Sequence, residues 1–356
     1  MISPIGNQNN EAVDWWFMYK LPMKTGPLKN STGFEFLYCD SNSEKGLSLS
    51  TVSLDHDNSA LALTLDQVFS KQEDIGYVLW NDEIPPSATV TKPKNNQSKG
   101  HSKGVLAFSK KNNCGLYLLH STPRFPAEGT KELPEDEKRF GQTYLCIALK
   151  DYSEVNKLAT VLMTQNEIQV YASHLPNIEK EEPLYLLTEN LKFDIPQSPS
   201  VLNLETPKGF KFTHIAKNKH WSKPLKPQKI GKDYWKDLVG PTLQSNLNVE
   251  TWRRGLVFGD IDLDNKFDTE DDVDIDLGKI GLTGYTWAYS KDHAKWGISA
   301  KDEKNLIVVS DLNRQLSQCK RGGGGLAFSH EGLWQSLKAV EITEKILETD
   351  PHLDVS

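Results

Sequence analysis

The sequence predicts an α/β or α+β protein made of two similar halves. Segments rich in β-branched and aromatic residues alternate with segments whose apolar residues recur three or four positions apart. The 356 residues are 37% hydrophobic and 25% charged, which is typical of globular proteins and excludes collagen-like, coiled-coil and wholly disordered chains. A His-x-Lys pattern followed by a predicted hairpin occurs twice, at His101 and at His293.

The first half is predicted at residues 1–175. Residues 13–21 form an aromatic run that ends at Pro22, as expected for a buried strand. Residues 85–104 are polar and have no apolar period, which predicts a surface loop before His101. In chain order, the predicted strands are 13–21, 76–80, 105–108, 116–119, 144–149 and 168–171, and the predicted helices are 59–70 and 152–165.

Residues 176–200 are predicted to link the halves, because they contain four prolines and an acidic run. The second half is then residues 201–356. Its predicted elements are a helix at 233–247 limited by Pro241, strands at 249–252, 296–299 and 306–309, and an amphipathic helix at 333–347. The hairpin at 296–309 repeats the one at 105–119, so the second half resembles the first.

The two His-x-Lys units are the most informative feature of the sequence. They are His101-Ser-Lys103 and His293-Ala-Lys295, 192 residues apart. Residues two apart on a strand project to the same face, so each unit directs an imidazole and an ammonium the same way. A single unit arises often by chance. Two units before matching hairpins predict one pocket between the halves.

Such a pocket suits cleavage of a phosphodiester without a metal. One imidazole attacks phosphorus, the other protonates the leaving oxygen, and the two lysines neutralise the phosphoryl oxygens. Histidine fits both roles because its ordinary pKa is about 6.5. The strand ends after each hairpin add four candidate phosphate or substrate ligands: Ser121, Asp311, Asn313 and Arg314. Asp311 could also orient a histidine, and all such residues are common turn formers.

At these residues the chain resembles the deoxyribonuclease II family, the acid DNases of the phospholipase D-like superfamily. The resemblance runs nearly end to end. It is carried by VDWWFMYKLP at residues 13–22, LWNDE at 79–83, GHSKG at 100–104, HSTPRFP at 120–126, GQTYLC at 141–146, VETW at 249–252, DHAKW at 292–296, DLNR at 311–314 and RGGG at 321–324.

The resemblance implies a phospholipase D-like pseudo-dimer of two mixed sheets flanked by helices, with the active site between the halves. It implies metal-independent, cofactor-free endonucleolytic hydrolysis of double-stranded DNA at acid pH, leaving 3′-phosphate and 5′-hydroxyl ends. The catalytic residues carried over are His101, Lys103, His293 and Lys295. Family precedent makes His293 indispensable, and the family also offers a homodimeric clamp around DNA.

Charge agrees with an acid enzyme. The formal net charge is −7 with neutral histidines, and protonating all nine histidines turns it to +2. Attraction to DNA phosphates should therefore rise as the pH falls. Two alternatives remain at this stage: a phosphodiesterase of the same superfamily that acts on another substrate, and a catalytically silent DNA-binding relative.

The compartment is left open between secreted, periplasmic and lysosome-like. The sequence has no basic-then-apolar secretory start and no apolar run that could span a membrane. Eukaryotic family members carry a signal peptide and an early cysteine whose partner sits where Cys146 does, and this sequence shows neither. Whether its four cysteines form disulfides or free thiols is also left open.

One acidic segment resembles a calcium-binding loop. Residues 260–271 place acids at positions 1, 3, 5, 9 and 12 of an EF-hand-like pattern, with Asn265 at the usual glycine. A solvated acidic loop is an equal alternative. Any bound calcium is expected to be structural and remote from the chemistry, with these candidate ligands: Asp260, Asp262, Asp264 and Asp271.

Overall fold

Two large β-sheets dominate the fold. A computed structural model describes residues 2–7, 10–70, 72–88, 99–189, 196–222, 231–253, 266–301 and 304–343. These residues form an α+β protein with few helices, which confirms the predicted fold class.

The first sheet has eight strands. Their order is β3-β2-β1-β7-β6-β5-β4-β8, and every neighbouring pair is antiparallel. The strands are β1 Trp15–Lys20, β2 Phe36–Asp40, β3 Ser48–Leu49, β4 Gly76–Trp80, β5 Gly104–Ser109, β6 Cys114–His120, β7 Gln142–Leu149 and β8 Val170–His174.

The second sheet has nine strands and is mixed, because β11 and β12 pair in parallel. The order is β13-β12-β11-β14-β15-β16-β10-β9, and β17 pairs with β12. The strands are β9 Ser200–Glu205, β10 Lys211–Lys217, β11 Leu247–Thr251, β12 Thr269–Asp276, β13 Thr286–Ala288, β14 Lys295–Ser299, β15 Leu306–Ser310, β16 Gly323–Ser329 and β17 Glu341–Thr343.

The longer helices begin at side-chain caps. Ser59 accepts a hydrogen bond from the backbone N–H of Ala62, Asp151 from that of Glu154, and His330 from that of Leu333. The helices are α1 Ala60–Val68, α2 Tyr152–Val161, α3 Pro183–Thr188, α4 Gly240–Leu243 and α5 Glu331–Val340.

Three predicted helices differ from the observed ones. The helix predicted at 152–165 changes at Leu162 into a π-helix that runs to Asn166. The one predicted at 233–247 is a π-helix, Trp235–Val239, followed by the single turn of α4. The one predicted at 333–347 ends at Val340, because the next three residues are extended and pair with β12 as β17. Tertiary pairing overrides helical spacing there.

The two sheets repeat one plan. In the first sheet β5, β6 and β7 are consecutive antiparallel neighbours, β1 lies beside β7, and α2 follows β7. In the second sheet β14, β15 and β16 are arranged in the same way, β10 lies beside β16, and α5 follows β16. The predicted linker, residues 176–200, lies between the last strand of one sheet and the first of the other and contains α3. The position of the domain boundary itself stays a prediction.

The main core lies between the sheets. Trp15 of β1 lies 5.3 Å from Phe328 of β16, measured between ring centroids, and Tyr19 lies 6.4 Å from Trp296 of β14. Helices α2, α3 and α5 contribute leucines to this same buried cluster. Because aromatic side chains from both sheets fill one layer, the inner faces are fixed relative to each other, which aligns the strand ends that carry the two His-x-Lys units.

Candidate active site

Each His-x-Lys unit lies at the start of the strand that begins its hairpin. Lys103 immediately precedes β5, and Lys295 is the first residue of β14. The structure brings the units together across the halves: the Lys295 ammonium lowers the pKa of His101, and the Lys103 ammonium lowers the pKa of His293, in both cases after the larger effect of burial. The predicted shared pocket therefore has a physical basis.

Backbone hydrogen bonds cross between the halves at both histidines. The His101 N–H donates to the Gly322 carbonyl oxygen, and the His293 N–H donates to the Gly141 carbonyl oxygen, each at 2.8 Å. Gly141 directly precedes β7, and Gly322 directly precedes β16. A Cβ atom at Gly141 would lie 2.4 Å from a carboxylate oxygen of Asp292, so this approach requires glycine.

His101 is held by a main-chain acceptor. Its Nδ1 lies 2.6 Å from the carbonyl oxygen of Asp311. A carbonyl oxygen only accepts hydrogen bonds, so Nδ1 carries the proton and the lone pair of the neutral ring is on Nε2. Nε2 lies 3.9 Å from a carboxylate oxygen of Asp82. Burial, reinforced by Lys103, holds the pKa of His101 well below its usual value, so the neutral ring is favoured.

His293 is held by a carboxylate and by aromatic rings. Its Nδ1 lies 3.4 Å from Oε2 of Glu137. The ring stacks on Phe140 with centroids 4.0 Å apart, and Trp252 lies 4.6 Å from its centroid. Nε2 is buried and has no hydrogen-bond partner among the described residues. Burial lowers the pKa of His293, and Glu137 opposes that effect.

A chain of hydrogen bonds leads from Ser121 to His293. The Ser121 hydroxyl bonds to the amide oxygen of Gln142, and the amide nitrogen of Gln142 donates to Oε2 of Glu137 at 2.9 Å. The other carboxylate oxygen of Glu137 accepts from Arg124, also at 2.9 Å. Ser121 thus belongs to the site through its effect on Glu137, and both oxygens of Glu137 have fixed positions.

Both lysines are buried and differ in their partners. The Lys103 ammonium pairs with Asp82, whose second oxygen lies 3.0 Å from Nη2 of Arg321. Burial alone would raise the pKa of Asp82, but Lys103, His101 and Arg321 hold this pKa well below its usual value. The Lys295 ammonium donates to the carbonyl oxygen of His293 at 2.7 Å. Burial, with Lys103 nearby, lowers the pKa of Lys295 to about 7.

His293 is buried and His101 is partly buried, and both lie with two buried lysines at the seam of two repeated sheets. Residues 6–345 match the family model described as Deoxyribonuclease II. The chain belongs to the deoxyribonuclease II family.

Curated relatives cover nearly the whole of this family member. A Burkholderia pseudomallei protein named "Putative deoxyribonuclease-2" is 37% identical over 96% of this chain and 93% of its own length. The Deoxyribonuclease-2 of Caenorhabditis elegans is 31% identical over 94% of this chain and 91% of its own. Plancitoxin-1 of Acanthaster planci is 30% identical over the same shares. Family membership makes the chain a DNA-degrading nuclease.

The other predicted ligands of this deoxyribonuclease II family member occupy different surroundings. Asp311 follows β15, and besides binding His101 through its carbonyl it accepts a hydrogen bond from Asn166 at 3.1 Å. Burial raises the pKa of the Asp311 carboxyl to about 7. Asn313 is buried, and its amide oxygen has no partner among the described residues. Arg314 is engaged by carboxylates, with Asp233 at 2.8 Å and Asp271 at 2.7 Å. Their roles toward substrate stay predictions.

The sequence did not single out several residues of the site. Glu137 lies in a polar loop segment with no local signal, and Asn166 ends the unpredicted π-helix. Gln142 and Arg124 fall inside segments that carried the family resemblance, and that was the only available signal for them. Asp82 likewise falls inside LWNDE at residues 79–83.

Half of the candidate calcium loop, residues 260–265, lies outside the described residues, and with it three of the four candidate ligands. Asp260, Asp262 and Asp264 are among the residues not described, while Asp271 lies in β12 and pairs with both Arg314 and Arg253. Within the described parts of the chain, no three His, Cys, Asp or Glu side chains are grouped as metal ligands. Calcium binding at 260–271 stays a prediction.

All four cysteines, at positions 39, 114, 146 and 319, are buried free thiols. Among the residues that the structure describes, no helix combines the length and the apolar character needed to cross a bilayer.

Proposed function

We propose that this nuclease hydrolyses double-stranded DNA at internal positions without a divalent metal, through a phosphohistidine, and leaves 3′-phosphate and 5′-hydroxyl ends. The observation that carries the proposal is the difference between the two histidines. His101 presents a lone pair on Nε2, because its Nδ1 donates to a carbonyl. His293 has a carboxylate at Nδ1 and a buried Nε2 without a partner.

In the first step, Nε2 of His101 attacks phosphorus and the P–O5′ bond breaks. The leaving O5′ atom takes a proton from Nε2 of His293, whose imidazolium form is stabilised by Glu137. In the second step, neutral His293 removes a proton from water, and the hydroxide attacks phosphorus. The P–N bond breaks, which frees His101 and leaves the phosphate on the 3′ end.

Lys103 and Lys295 supply the positive charge that such a reaction needs. Both ammonium groups are buried, and charge–charge interactions are stronger there than in water. Acid pH favours this arrangement in two ways. His293 must be protonated although burial lowers its pKa, and Lys295, with a pKa of about 7, becomes fully cationic only below neutrality. The proposal therefore includes an acid optimum.

The decisive experiment uses supercoiled plasmid in EDTA at about pH 5 and about pH 7.5, where histidine charge differs most. We expect chelator-resistant nicking that is faster at acid pH and is lost in His101→Ala and His293→Ala. His56→Ala is the matched control, because His56 is an exposed histidine. Analysis of the product ends must find 3′-phosphates. A covalent phosphoenzyme should be trapped in His293→Ala with a substrate whose leaving group needs no proton, and not in His101→Ala.

Other outcomes point elsewhere. Binding of DNA without cleavage would identify a silent DNA-binding relative. Absence of both DNA binding and DNA cleavage would indicate that the substrate is another phosphodiester. The homodimeric clamp implied by the family resemblance is part of the same proposal, and light scattering of the purified protein tests it, since a monomer would rule it out.

A further inference from the structure

Two buried lysines outside the His-x-Lys units occupy equivalent positions in the two halves. Lys20 is the last residue of β1, which lies beside β7, and Lys217 is the last residue of β10, which lies beside β16. Lys20 is 0% exposed and Lys217 is 1% exposed. Burying a lysine ammonium is costly unless its N–H groups are satisfied, so a pair of such residues requires an explanation.

Lys20 binds the backbone of the segment that contacts His293. Its ammonium donates to the carbonyl oxygens of Leu21 at 3.2 Å, Gly33 at 3.1 Å and Lys138 at 3.4 Å. Lys138 belongs to the 3₁₀ turn Glu135–Arg139, which also carries Glu137. This turn leads directly to Phe140 and Gly141. Residues 137–141 therefore supply the carboxylate, the stacked ring and the carbonyl that hold His293.

Lys217 binds the backbone of the corresponding segment in the second half. Its ammonium donates to the hydroxyl of Ser222 at 2.9 Å and to the carbonyl oxygens of Gln318 at 2.7 Å and Arg321 at 2.5 Å. The next residue, Gly322, accepts the hydrogen bond from the His101 N–H. The side chain of Arg321 also binds the carbonyl of Gly100 at 2.9 Å. Residues 318–322 thus hold the backbone at His101.

We propose that Lys20 and Lys217 are positioning residues of the nuclease, and that each fixes the segment that holds the histidine of the opposite half. Lys20, in the first half, acts on His293, and Lys217, in the second half, acts on His101. Neither ammonium reaches the phosphate in this arrangement, since all three N–H groups have other acceptors. The inference rests on the proposed two-histidine function, and it adds two residues that the reaction scheme does not contain.

The charge state of the two lysines fits this role. Burial lowers the pKa of Lys20 to about 7, opposed by Glu137, Asp292 and Glu35. An ammonium offers three N–H donors for three acceptors, whereas a neutral amine offers two. Lys20 therefore makes all three of its hydrogen bonds, including the one to Lys138 in the 137–141 segment, only at the lower pH values, where it is charged.

Lys217 behaves in the same way. Burial lowers its pKa to about 8; Cys319, Glu167 and Asp233 oppose this, and Arg321 reinforces it. The 318–322 segment is therefore also held best at acid pH. Both anchors thus favour the same range in which His293 is protonated.

Hydrogen exchange of the two histidine amides tests the crossed pattern without relying on activity. We compare Lys20→Met and Lys217→Met with Lys304→Met at about pH 6, where both lysines are charged. Lys304 is the matched control, because it also caps two carbonyls, of Leu243 and Gln244, but sits in the hairpin turn at the far end of β14.

The expected result is selective. In Lys20→Met the amide of His293 should exchange at least about 10-fold faster while that of His101 is unchanged, and in Lys217→Met the reverse should hold. Lys304→Met should change neither. Equal acceleration of both amides, or of neither, would overturn the proposal. Lys20→Gln and Lys217→Gln, which retain N–H donors, are made in parallel and should show the same selectivity in weaker form.

Kinetics separates this inference from the proposed function. If the wild type does not cut DNA, or cuts it without His101 and His293, the proposed function fails, whatever the exchange data show. If the wild type cuts as proposed, both methionine variants should lose about 10- to 100-fold in kcat, because misplacement by about 1 Å costs that much. Their KM for DNA should stay within about twofold, since neither lysine touches phosphate. An unchanged kcat would refute the positioning role.

Discussion

Phe140 and Arg321 stand at equivalent positions in the two halves, and they do different things there. Each immediately precedes the glycine whose carbonyl oxygen binds the backbone N–H of a histidine in the other half. Phe140 stacks on the imidazole of His293 with centroids 4.0 Å apart. Arg321 instead reaches the carboxylate of Asp82 at 3.0 Å. The backbone scaffold is symmetric, while the side chains make the two histidines unequal, as the proposed acid and the proposed nucleophile should be.

Removing the stacked ring should raise the pKa of His293. Burial is the main reason that this pKa lies below its usual value, and Phe140→Ala opens one face of the imidazole to water. The protonated form of His293 then persists to higher pH, so the alkaline limb of the plot of kcat against pH should shift toward higher pH. We expect kcat at about pH 5 to fall about 10-fold, because the ring is no longer fixed. Phe69→Ala, which removes a partly buried ring at the C-cap of α1, should leave the profile unchanged.

Removing the Glu137 carboxylate should shift the alkaline limb of kcat in the opposite direction, toward lower pH. Glu137 raises the pKa of His293, so Glu137→Gln lowers it further and shifts the alkaline limb toward lower pH. A loss of about 10²-fold in kcat is typical when a charge that supports a general acid is removed. Glu135→Gln, in the same turn but exposed, is the control. A common direction of shift for Phe140→Ala and Glu137→Gln would contradict this account of His293.

Asp82 should make a pH-dependent contribution to stability. Its folded pKa lies far below the unfolded value of about 3.9, so the stabilisation is present above about pH 4 and is lost as the pH falls further. Asp82→Asn leaves the Lys103 ammonium buried without its partner, which costs about 3–5 kcal/mol at neutral pH. Urea denaturation at about pH 7 and about pH 3 measures both effects. The difference in the free energy of unfolding between the variant and the wild type should be smaller at the lower pH.

The matched control for Asp82 is a surface carboxylate. Asp66 pairs with Lys131 at 3.0 Å, but its side chain is 57% exposed. Exposed pairs contribute little, so Asp66→Asn should not change the urea midpoint measurably at either pH. Equal effects of the two substitutions would show that burial of Asp82 does not determine its contribution.

Local chemistry made much of the fold predictable from the sequence. Helix α1 begins where the cap Ser59 and the leucine spacing indicate, and β4 spans the predicted residues 76–80. The hairpins after each His-x-Lys unit are also observed. These features depend on neighbouring residues only. The early end of α5 does not, because it results from pairing of β17 with β12, which is distant in sequence.

The two His-x-Lys units of the site were predictable because their residues share a short pattern. His101 and Lys103 are two residues apart, so the spacing itself carries the signal. Glu137 lies 156 positions before its partner His293 in a loop with no apolar period, and no local rule connects them. The contact at His101 is made by a carbonyl oxygen of Asp311, and every residue has such an atom. Residue identity therefore cannot reveal it.

Inhibition by sulfate should report the charge of Lys295. Sulfate is a dianion at both acid and neutral pH, so any change in its affinity reflects the protein. Lys295 has a pKa of about 7, and it gains its full charge as the pH falls to about 5. The inhibition constant measured against plasmid cleavage should therefore be lower at about pH 5 than at about pH 8. Calorimetry on Lys295→Met should show weaker sulfate binding that has lost most of its dependence on pH. Lys304→Met should bind sulfate as the wild type does. Sulfate affinity that is independent of pH in the wild type would mean that Lys295 does not bind the anion.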